Sequence, residues 1–365
     1  MSARLIKDGL FFPHQSIVLT KEDLLPDFSL TKILNACALH KDLLGKESAV
    51  WEIEVHPTTL CNLKCPGCSY ATRHDGCIIH TEQLAAILNY YGLLNAKSVF
   101  FSGGGDPLMW KDWDNLFSRI EVSNFYFGIA TNLYNYKSIK NCINVFDLFQ
   151  IHVIGHNRQS IRAASGLEMM SVFQNNLSDL FSCRNKNQIV TLKYLITSNN
   201  YTSIDDILDY LLSLCGDTVV LKIQQDFLSN HNHASRRMIE YIRERVACHH
   251  IHNNYDILLD NLNDTYFNNP IPKRCHFVQT GLYRLIDSHG DVYPCIASTY
   301  DRANSLYNIS SIPANSNNSL LSDVYLNKEL LQRCPLRACR HYRFSSVLES
   351  FETPSSFPTY TPVLL

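Results

Sequence analysis

Three cysteines on one short segment carry the strongest chemical signal in the sequence. Cys61, Cys65 and Cys68 have the spacing C-x3-C-x2-C and directly follow a run, 51–55, that is typical of a buried β-strand. Thiolates bind soft metals and iron–sulfur clusters, and a local set of three leaves one of four coordination positions open. An open position is typical of sites that carry out chemistry. The spacing leaves a structural zinc site, with a distant fourth ligand, as an alternative.

A glycine-rich turn ends the second predicted strand. It consists of Ser102, Gly103, Gly104, Gly105 and Asp106. Glycine lets the backbone approach a ligand closely, although a triple glycine by itself is equally typical of a tight turn. The motif gains weight from its place on the strand that follows the cysteine loop in the chain.

The two motifs, in this order at the ends of successive strands, resemble the radical S-adenosylmethionine superfamily. The resemblance covers residues from about 50 to 340. It implies that Cys61, Cys65 and Cys68 hold a 4Fe–4S cluster whose fourth iron is chelated by the amino and carboxylate groups of S-adenosylmethionine. It also implies that one electron cleaves this cosubstrate to a 5′-deoxyadenosyl radical, which abstracts a hydrogen atom from the substrate. Such a cofactor supplies chemistry that no side chain can carry out.

The resemblance also implies contacts to the cosubstrate. The turn Gly103, Gly104, Gly105 would bind the amino group of S-adenosylmethionine together with Asp106, at a position where the family more often has glutamate. The residue before the third cysteine is commonly an aromatic that contacts adenine; here it is Gly67, and the nearby Tyr70 could replace it. Polar residues in or after later strands could also bind cosubstrate or substrate: Thr131, Asn132, His152, Lys193 and Gln224.

A second group of cysteines follows the predicted barrel: Cys275, Cys295, Cys334 and Cys339. With the hairpin pattern around Gly290, the group resembles the twitch extension, a shortened form of the SPASM domain. The resemblance implies one auxiliary 4Fe–4S cluster that accepts an electron or helps to place the substrate. Four thiolates would also suit a structural zinc ion.

Three scattered cysteines are candidates for a catalytic role. An enzyme that inverts a carbon centre by radical chemistry must return a hydrogen atom, and a thiol is a suitable donor. By position the candidates are Cys77, Cys183 and Cys248. A single cysteine is also commonly a small buried hydrophobic residue.

The composition argues against several other kinds of partner. The chain has 365 residues, of which 45% are hydrophobic and 18% charged, and its formal net charge is −2. This balance gives no electrostatic basis for binding nucleic acid or an anionic membrane. The sequence start lacks the apolar core of a signal peptide, and no run of about 18 apolar residues is present. Its 13 cysteines therefore indicate metal binding rather than disulfides, in a cytoplasmic protein.

The elements that must position these motifs alternate regularly along the chain. Short β-branched or aromatic runs predict strands at 51–56, 98–102, 125–131, 149–154, 188–197 and 218–224. Helical periodicity predicts helices at 81–91 (with Thr81 as N-cap), 110–120, 137–146, 167–181, 204–214 and 235–249. Six βα units predict an α/β fold, an open partial (β/α)6 TIM-type barrel with ligands at the carboxyl ends of its strands. A small β-hairpin and helix form its cluster-binding extension.

We divide the chain into four segments on this basis. Residues 1–48, with a helical patch at 30–44, form an N-terminal cap or docking segment, and residues 49–255 form the radical S-adenosylmethionine partial barrel. An Asn-rich region precedes the twitch-like auxiliary iron–sulfur domain at 256–344, and 345–365 is a C-terminal tail.

Two substrate classes fit this prediction. The first is a small natural product (a polyol, aminocyclitol or nucleoside) that is oxidised or epimerised. The alternative is a ribosomally made peptide, although the segment before Trp51 is too short for the winged-helix module of about 80 residues expected of such a maturase. A flavodoxin- or ferredoxin-type protein would be the reductant. A non-catalytic zinc-thiolate protein is the alternative from another class.

Overall fold

The computed structural model describes residues 4–6, 9–12, 17–20, 50–65, 68, 70, 75–166, 169–214, 219–225, 236–253, 257–260, 275, 278 and 281–311. Near the start of the chain, three short strands form an antiparallel sheet of their own. They are β1 (Arg4–Ile6), β2 (Gly9–Phe12) and β3 (Ile17–Thr20). The helical patch predicted at 30–44 lies outside the described residues.

Within the residues that the structure describes, the main sheet has ten strands. In chain order they are β4 (Glu52–Val55), β5 (Ser98–Phe101), β6 (Tyr126–Thr131), β7 (Leu148–Val153), β8 (Ile189–Ile196), β9 (Val219–Gln225), β10 (Ile257–Asp260), β11 (Tyr283–Ile286), β12 (Asp291–Tyr293) and β13 (Tyr307–Asn308). Their order across the sheet is β10-β9-β8-β7-β6-β5-β4-β11-β12-β13.

The sheet is an open one, as predicted, with β10 and β13 at its edges. From β10 to β11 each neighbouring pair is parallel, which makes eight parallel strands. All six predicted strands are present and lie side by side in the sheet, and β10 and β11 extend the parallel set at its two sides. Sequence reasoning missed β10, which lies in the Asn-rich region, whereas β11 was predicted as a strand of the hairpin but not as a neighbour of β4.

The described residues contain six α-helices: α1 (Thr81–Leu93), α2 (Trp113–Phe117), α3 (Arg158–Ser165), α4 (Met170–Cys183), α5 (Ile204–Leu214) and α6 (Arg236–Asn253). Short 3-10 helices span Pro107–Met109, Val122–Asn124, Tyr136–Val145, Tyr201–Ser203, Ile296–Ser298, Arg302–Asn304 and Ile309–Ser311. None of the helices in the described ranges is long and apolar enough to cross a membrane.

Three helix predictions need correction. The helix expected at 110–120 is reduced to α2, which begins after its N-cap Asp112 and ends before its C-cap Ser118. The helix expected at 137–146 is a 3-10 helix with a kink at Cys142. Thr81 is not the N-cap of α1; His80 holds that position, and the Thr81 hydroxyl instead donates to the Asp112 carboxylate.

The sequence prediction also missed α3. A capping box begins this helix, since the Asn157 side chain accepts from Ser160 N–H and the Ser160 hydroxyl accepts from Asn157 N–H. Gly166 ends the helix in the left-handed region, at φ +75°. With only two turns, α3 gives too short a periodic pattern to stand out from the loop before α4.

The predicted hairpin is β11 and β12, which pair antiparallel across a turn at Gly290 (φ +79°). Its first strand also pairs parallel with β4, so that Tyr283 lies opposite Glu52 and Ile286 opposite Val55. The hairpin thereby continues the barrel sheet directly beside the strand that leads into the cysteine loop. The four segment boundaries of the sequence analysis stay predictions.

Aromatic side chains fill the core between the central strands and α2. Phe101 on β5 is fully buried, and its ring centroid lies 4.9 Å from that of Trp113 and 6.3 Å from those of Phe127 and Phe146. Burial of rings of this size is among the largest single contributions to a core. This packing holds the carboxyl end of β5, from which the glycine-rich turn begins.

We expect Phe101→Ala to lower the free energy of unfolding by about 3–5 kcal/mol, because it leaves a large cavity in this cluster. Urea unfolding of the metal-free chain under reducing conditions measures the change. Tyr126→Ala is the matched control, since Tyr126 is 64% exposed at the start of β6, and we expect a loss below about 1 kcal/mol. Equal losses in the two variants would contradict this account of the core.

Candidate active site

The loop that carries the three cysteines is fixed between two neighbouring segments. On one side, Thr59 N–H donates to the Cys77 carbonyl (2.9 Å) and Thr58 forms a β-bridge with Ile78. On the other side, the carbonyls of Thr58 and Leu60 accept hydrogen bonds from the glycine-rich turn. The path of the loop from β4 to the first cysteine is therefore set by backbone contacts.

The three thiols of the loop are partly buried and interact with one another. Burial raises the pKa of Cys61 to about 11, and the charges of Asp106 and Cys68 add to the effect. Burial likewise raises the pKa of Cys65 to about 12, with contributions from Cys61 and Cys68. Three thiolates here would repel each other without a cation, so metal binding and loss of the thiol protons are coupled.

Within the described ranges, no three or more His, Cys, Asp or Glu side chains are grouped so as to hold a single metal ion. The fit to a cluster instead rests on the donor set, which is three partly accessible thiols on one loop. They lie close enough together for the charge of one thiolate to raise the pKa of another. In a four-iron cluster each thiolate binds a different iron. These residues fit such a group in chemistry and in number.

The glycine-rich turn is hydrogen-bonded to the cysteine loop through its backbone. Gly105 N–H donates to the Thr58 carbonyl (2.8 Å) and Asp106 N–H donates to the Leu60 carbonyl (2.9 Å). A Cβ on Gly105 would overlap the Leu60 carbonyl, and Gly104 has φ +81°. Glycine is required at both positions, at the first by the close approach and at the second by the backbone conformation.

Asp106 is a buried connector between the turn and β6. Its carboxylate accepts from Leu108 N–H (2.9 Å), from the Thr131 hydroxyl (2.9 and 3.0 Å) and from Asn132 N–H (2.7 Å). Burial raises the pKa of Asp106, although these donors oppose the shift. The Asn132 amide in turn donates to the Asn62 side chain of the cysteine loop (2.8 Å). The structure thus brings the predicted residues Asp106, Thr131 and Asn132 together.

Sequence reasoning missed a polar cluster beneath the turn. Glu54 on β4 accepts hydrogen bonds from the Ser102 and Tyr283 hydroxyls and from His56 Nε2 (3.3 Å). His56, which is fully buried, uses its other ring nitrogen to contact the Tyr300 hydroxyl (3.3 Å). We call these five residues the Glu54 cluster; they come from β4 and the residue after it, the residue after β5, β11 and the segment after Cys295.

Glu54 is held in its charged form by this cluster. Burial by itself would raise the pKa of Glu54, but the hydrogen bond and charge of His56 and the hydrogen bonds of Ser102 and Tyr283 outweigh it, and the pKa is lowered. One signal in the sequence could have identified the residue. Glu52, Glu54 and His56 alternate with Ile53 and Val55, and polar residues at every second position of a barrel strand face the interior.

Two tyrosines connect the Glu54 cluster to the glycine-rich turn. The Tyr70 ring lies 5.4 Å from that of His56 and 5.6 Å from that of Tyr300, in edge-to-face arrangements. A Cβ on Gly103 would lie 2.9 Å from the Tyr70 ring, and one on Gly104 would overlap the Tyr300 hydroxyl. Tyr300 itself has φ +63°, a strained value for a residue with a side chain. Tyr70 thus lies against the turn for which an amino-group contact was predicted, and its own predicted contact with adenine stays a prediction.

The polar candidates on the later strands lie further along the sheet. His152 on β7 and Lys193 on β8 are partly buried neighbours in register. The backbone of Gln224 on β9 pairs with Leu195 and Asp260. His152 and Lys193 share the sheet face opposite the buried core residues.

The remaining cysteine candidates divide into two groups. Cys77 lies beside the cysteine loop, with its thiol donating to the Ser288 carbonyl (3.3 Å). Cys183 and Cys248 are exposed and lie towards the ends of α4 and α6, which lead to the amino ends of the next strands, away from the site. Of the second cysteine group, Cys275 and Cys295 are partly buried. Cys334 and Cys339 lie outside the described residues.

Comparison with known proteins gives a match at the level of structure. No protein-family model and no curated protein sequence matches the chain. Streptococcus suis SuiB bound to S-adenosylmethionine is similar over 93% of this chain and 81% of SuiB, with a TM-score of 0.59 and 16% identity. SuiB bound to its precursor peptide SuiA is similar over 97% and 82%, at a TM-score of 0.59 and 15% identity.

A third similar structure is anSMEcpe with bound AdoMet and the Cp18Cys peptide. The similarity covers 83% of this chain and 96% of anSMEcpe, with a TM-score of 0.53 and 16% identity. The chain has the radical S-adenosylmethionine fold. The fold that the sequence resemblance implied is therefore confirmed, and identities this low establish the fold alone.

The lowered pKa of Glu54 gives a pH-dependent contribution to stability. The contribution is present above the ordinary carboxyl value of 4.5 and is lost as the pH falls through the lower value of the folded state. We expect Glu54→Gln to lower the free energy of unfolding of the metal-free chain by about 1–3 kcal/mol at neutral pH. The difference from wild type should shrink towards zero at acidic pH, as measured by urea unfolding at several pH values.

Glu82→Gln is the control for this prediction. Glu82 is 65% exposed and pairs with Arg119 on the surface at 3.6 Å. We expect its effect to stay within about 1 kcal/mol at every pH. A Glu54→Gln effect that does not change between neutral and acidic pH would contradict the assignment of a charged Glu54.

Proposed function

We propose that this protein is a radical S-adenosylmethionine enzyme that reductively cleaves S-adenosylmethionine. The observation that carries the proposal is the pair of backbone hydrogen bonds that joins the glycine-rich turn to the cysteine loop at the carboxyl ends of β4 and β5. This contact brings the proposed cluster-binding loop and the proposed ligand-binding turn into one site. The fold adds support, because similar structures were solved with S-adenosylmethionine bound.

Under this proposal Cys61, Cys65 and Cys68 hold the 4Fe–4S cluster, and the turn at Gly103 and Gly104 receives S-adenosylmethionine. When bound, the cluster supplies the electron that cleaves the cosubstrate. The protein residues bind and orient the cosubstrate, and they exclude water from the site. Asp106 fixes the turn through Thr131 and Asn132, and the rings of Tyr70 and Tyr300 cover it from the barrel side. Covering the site limits side reactions of reactive species with water.

The barrel interior favours a small polar substrate. Glu54 on β4, His56 directly after it, His152 on β7 and Lys193 on β8 would offer charged and hydrogen-bonding groups to such a substrate. We propose oxidation or epimerisation of a polyol, aminocyclitol or nucleoside at this site. If the reaction is an epimerisation, Cys77 is the candidate hydrogen donor that lies beside the cysteine loop.

A peptide is the second candidate substrate. One observation favours it: SuiB was solved with its precursor peptide SuiA, and anSMEcpe was solved with the peptides Cp18Cys and Kp18Cys. A peptide would reach the same interior groups from the carboxyl end of the sheet. For either substrate, we propose a flavodoxin- or ferredoxin-type protein as the electron donor.

We also propose an auxiliary cluster in the C-terminal region. Its ligands would be Cys275, Cys295, Cys334 and Cys339. Cys295 lies close enough to Tyr283 of the Glu54 cluster for its charge to affect the pKa of that phenol. A cluster held by Cys295 would therefore lie near the barrel interior, where it could accept an electron from the substrate.

Anaerobic reconstitution with iron and sulfide, followed by reduction with dithionite in the presence of S-adenosylmethionine, tests the main proposal. We expect about eight irons per chain for two four-iron clusters, and formation of 5′-deoxyadenosine. Changing Cys61, Cys65 or Cys68 to alanine should abolish that product. Cys142→Ala is the thiol control and should retain it, because Cys142 is buried within the Tyr136–Val145 helix. Bound zinc without 5′-deoxyadenosine would establish the zinc-thiolate alternative instead.

Cys295→Ala tests the auxiliary cluster separately. We expect the variant to keep about four irons per chain and to form 5′-deoxyadenosine from S-adenosylmethionine, because the first cluster has its own ligands. Iron and sulfide analysis and product chromatography measure the two effects. An unchanged iron content in this variant would remove Cys295 from the ligand set.

A further inference from the structure

A buried hydroxyl just after β6 has no hydrogen-bond partner. Tyr134 is 8% exposed, and its hydroxyl donates to no group in the part of the chain that the structure describes. Removing a hydroxyl from water without giving it a partner is costly, so such groups are uncommon in native proteins. Where one occurs, it points to a redox or catalytic role, to strain, or to a bound water or ion. The surroundings of Tyr134 decide between these.

The backbone at Tyr134 is tied to the cysteine loop through one side chain. The Asn132 amide donates to Asn62 Oδ1 (2.8 Å), and Asn132 Oδ1 accepts from Tyr134 N–H (3.1 Å). Asn62 lies in the cysteine loop between Cys61 and Cys65. The same amide group therefore contacts the loop and fixes the backbone from which the phenol extends.

The first helical turns of α4 hold Tyr134 from the other side. The Asn176 amide donates to the carbonyls of Leu133 (2.9 Å) and Tyr134 (3.2 Å). The Phe173 ring centroid lies 6.1 Å from that of Tyr134. Leu133 is held at φ +66°, which is a strained value for a residue with a side chain. The backbone and ring of Tyr134 are thus fixed, whereas its hydroxyl is not used by these contacts.

Cys65 is a close electrostatic neighbour of this phenol. It packs against the hydrophobic core to which Tyr134 belongs. Burial raises the pKa of Tyr134 to about 12, and the charges of Tyr210 and Cys65 add to the effect. Neither neighbour accepts a hydrogen bond from the Tyr134 hydroxyl. The donor therefore lies near a proposed cluster ligand and has no acceptor in the metal-free chain.

A bound cluster would bring the missing acceptor. A 4Fe–4S cluster adds sulfide and thiolate sulfurs, and hydrogen bonds to these sulfurs help to set its reduction potential. A donor stabilises the reduced cluster more than the oxidised one, because the reduced cluster carries one more negative charge. A hydroxyl at this place would consequently make the cluster easier to reduce.

We propose that the Tyr134 hydroxyl donates a hydrogen bond to sulfur at the Cys65 corner of the cluster and so raises its reduction potential. The inference rests on the proposed function, since it needs a cluster on Cys61, Cys65 and Cys68. In this role Tyr134 acts on the cluster alone and requires no contact with the cosubstrate or the substrate. An ordered water on the hydroxyl is the alternative occupant.

A redox titration of the reconstituted holoenzyme, followed by electron paramagnetic resonance, tests the proposal. The signal of the first cluster is the one that is absent from Cys61→Ala. We expect Tyr134→Phe to make reduction of this cluster about tenfold less favourable, which is a shift of about 59 mV to more negative potential for one electron. Iron and sulfide analysis confirms that each variant is loaded.

Tyr136→Phe is the matched control for the titration. Tyr136 is 1% exposed and lies two residues further along the same segment. Burial raises its pKa together with the charges of Cys183 and Asp179, which places its hydroxyl near the end of α4 rather than at the cysteine loop. We expect this variant to change the reduction equilibrium of the first cluster by less than about twofold.

Urea unfolding of the metal-free chain under reducing conditions gives a second, independent readout. Because the Tyr134 hydroxyl has no partner without the cluster, its removal should not lower the midpoint of unfolding. A hydroxyl with a structural hydrogen bond would give the opposite sign. This measurement does not depend on loading of the variant, so it applies even if Tyr134→Phe retains the cluster poorly.

An unchanged potential in Tyr134→Phe overturns the inference and assigns the hydroxyl to an ordered water. Equal shifts in Tyr134→Phe and Tyr136→Phe also overturn it, since the effect would then be common to buried phenols of this segment. A lower urea midpoint for metal-free Tyr134→Phe overturns it as well, because the hydroxyl then has a partner in the protein. In each case the proposed function stands; it fails only if the wild-type chain assembles no iron–sulfur cluster on Cys61, Cys65 and Cys68.

Discussion

The contact between the glycine-rich turn and the cysteine loop is the constraint on which the site depends. Two backbone hydrogen bonds, from Gly105 to Thr58 and from Asp106 to Leu60, hold the ends of β4 and β5 together. They can form only because Gly105 has no side chain to meet the Leu60 carbonyl. The parallel sheet supplies the approximate alignment of the two strand ends, and this contact sets the distance between the thiol loop and the turn.

The same constraint explains why a charged residue is tolerated inside the barrel. A buried carboxylate is costly unless hydrogen bonds replace its lost hydration. Glu54 obtains its donors from three different places: Ser102 at the start of the turn, His56 just after β4, and Tyr283 on β11. If the turn moved away from the cysteine loop, the Ser102 donor would move with it. The charge on Glu54 and the position of the turn are therefore coupled.

Much of the architecture was predictable from the sequence, because alternating short strands and helices leave few possible folds. The cysteine loop and glycine-rich turn were predicted at the ends of neighbouring strands, and the structure joins them directly. Pairing partners were harder to predict. The pattern of β11 indicates a strand but does not say that it pairs with β4. Asp106 could be identified as a residue of the site, yet only the structure shows that Thr131 and Asn132 occupy its oxygens.

The pairing of β11 with β4 changes how the C-terminal region is understood. A separate extension would influence the barrel only across an interface, whereas β11 is hydrogen-bonded along the strand that carries Glu54. Tyr283 and Tyr300 then reach the Glu54 cluster from two directions, and the strained backbone of Tyr300 is retained where its hydroxyl meets His56. The start of the glycine-rich turn and the C-terminal residues Tyr283 and Tyr300 consequently share one set of hydrogen bonds, through Glu54 and His56.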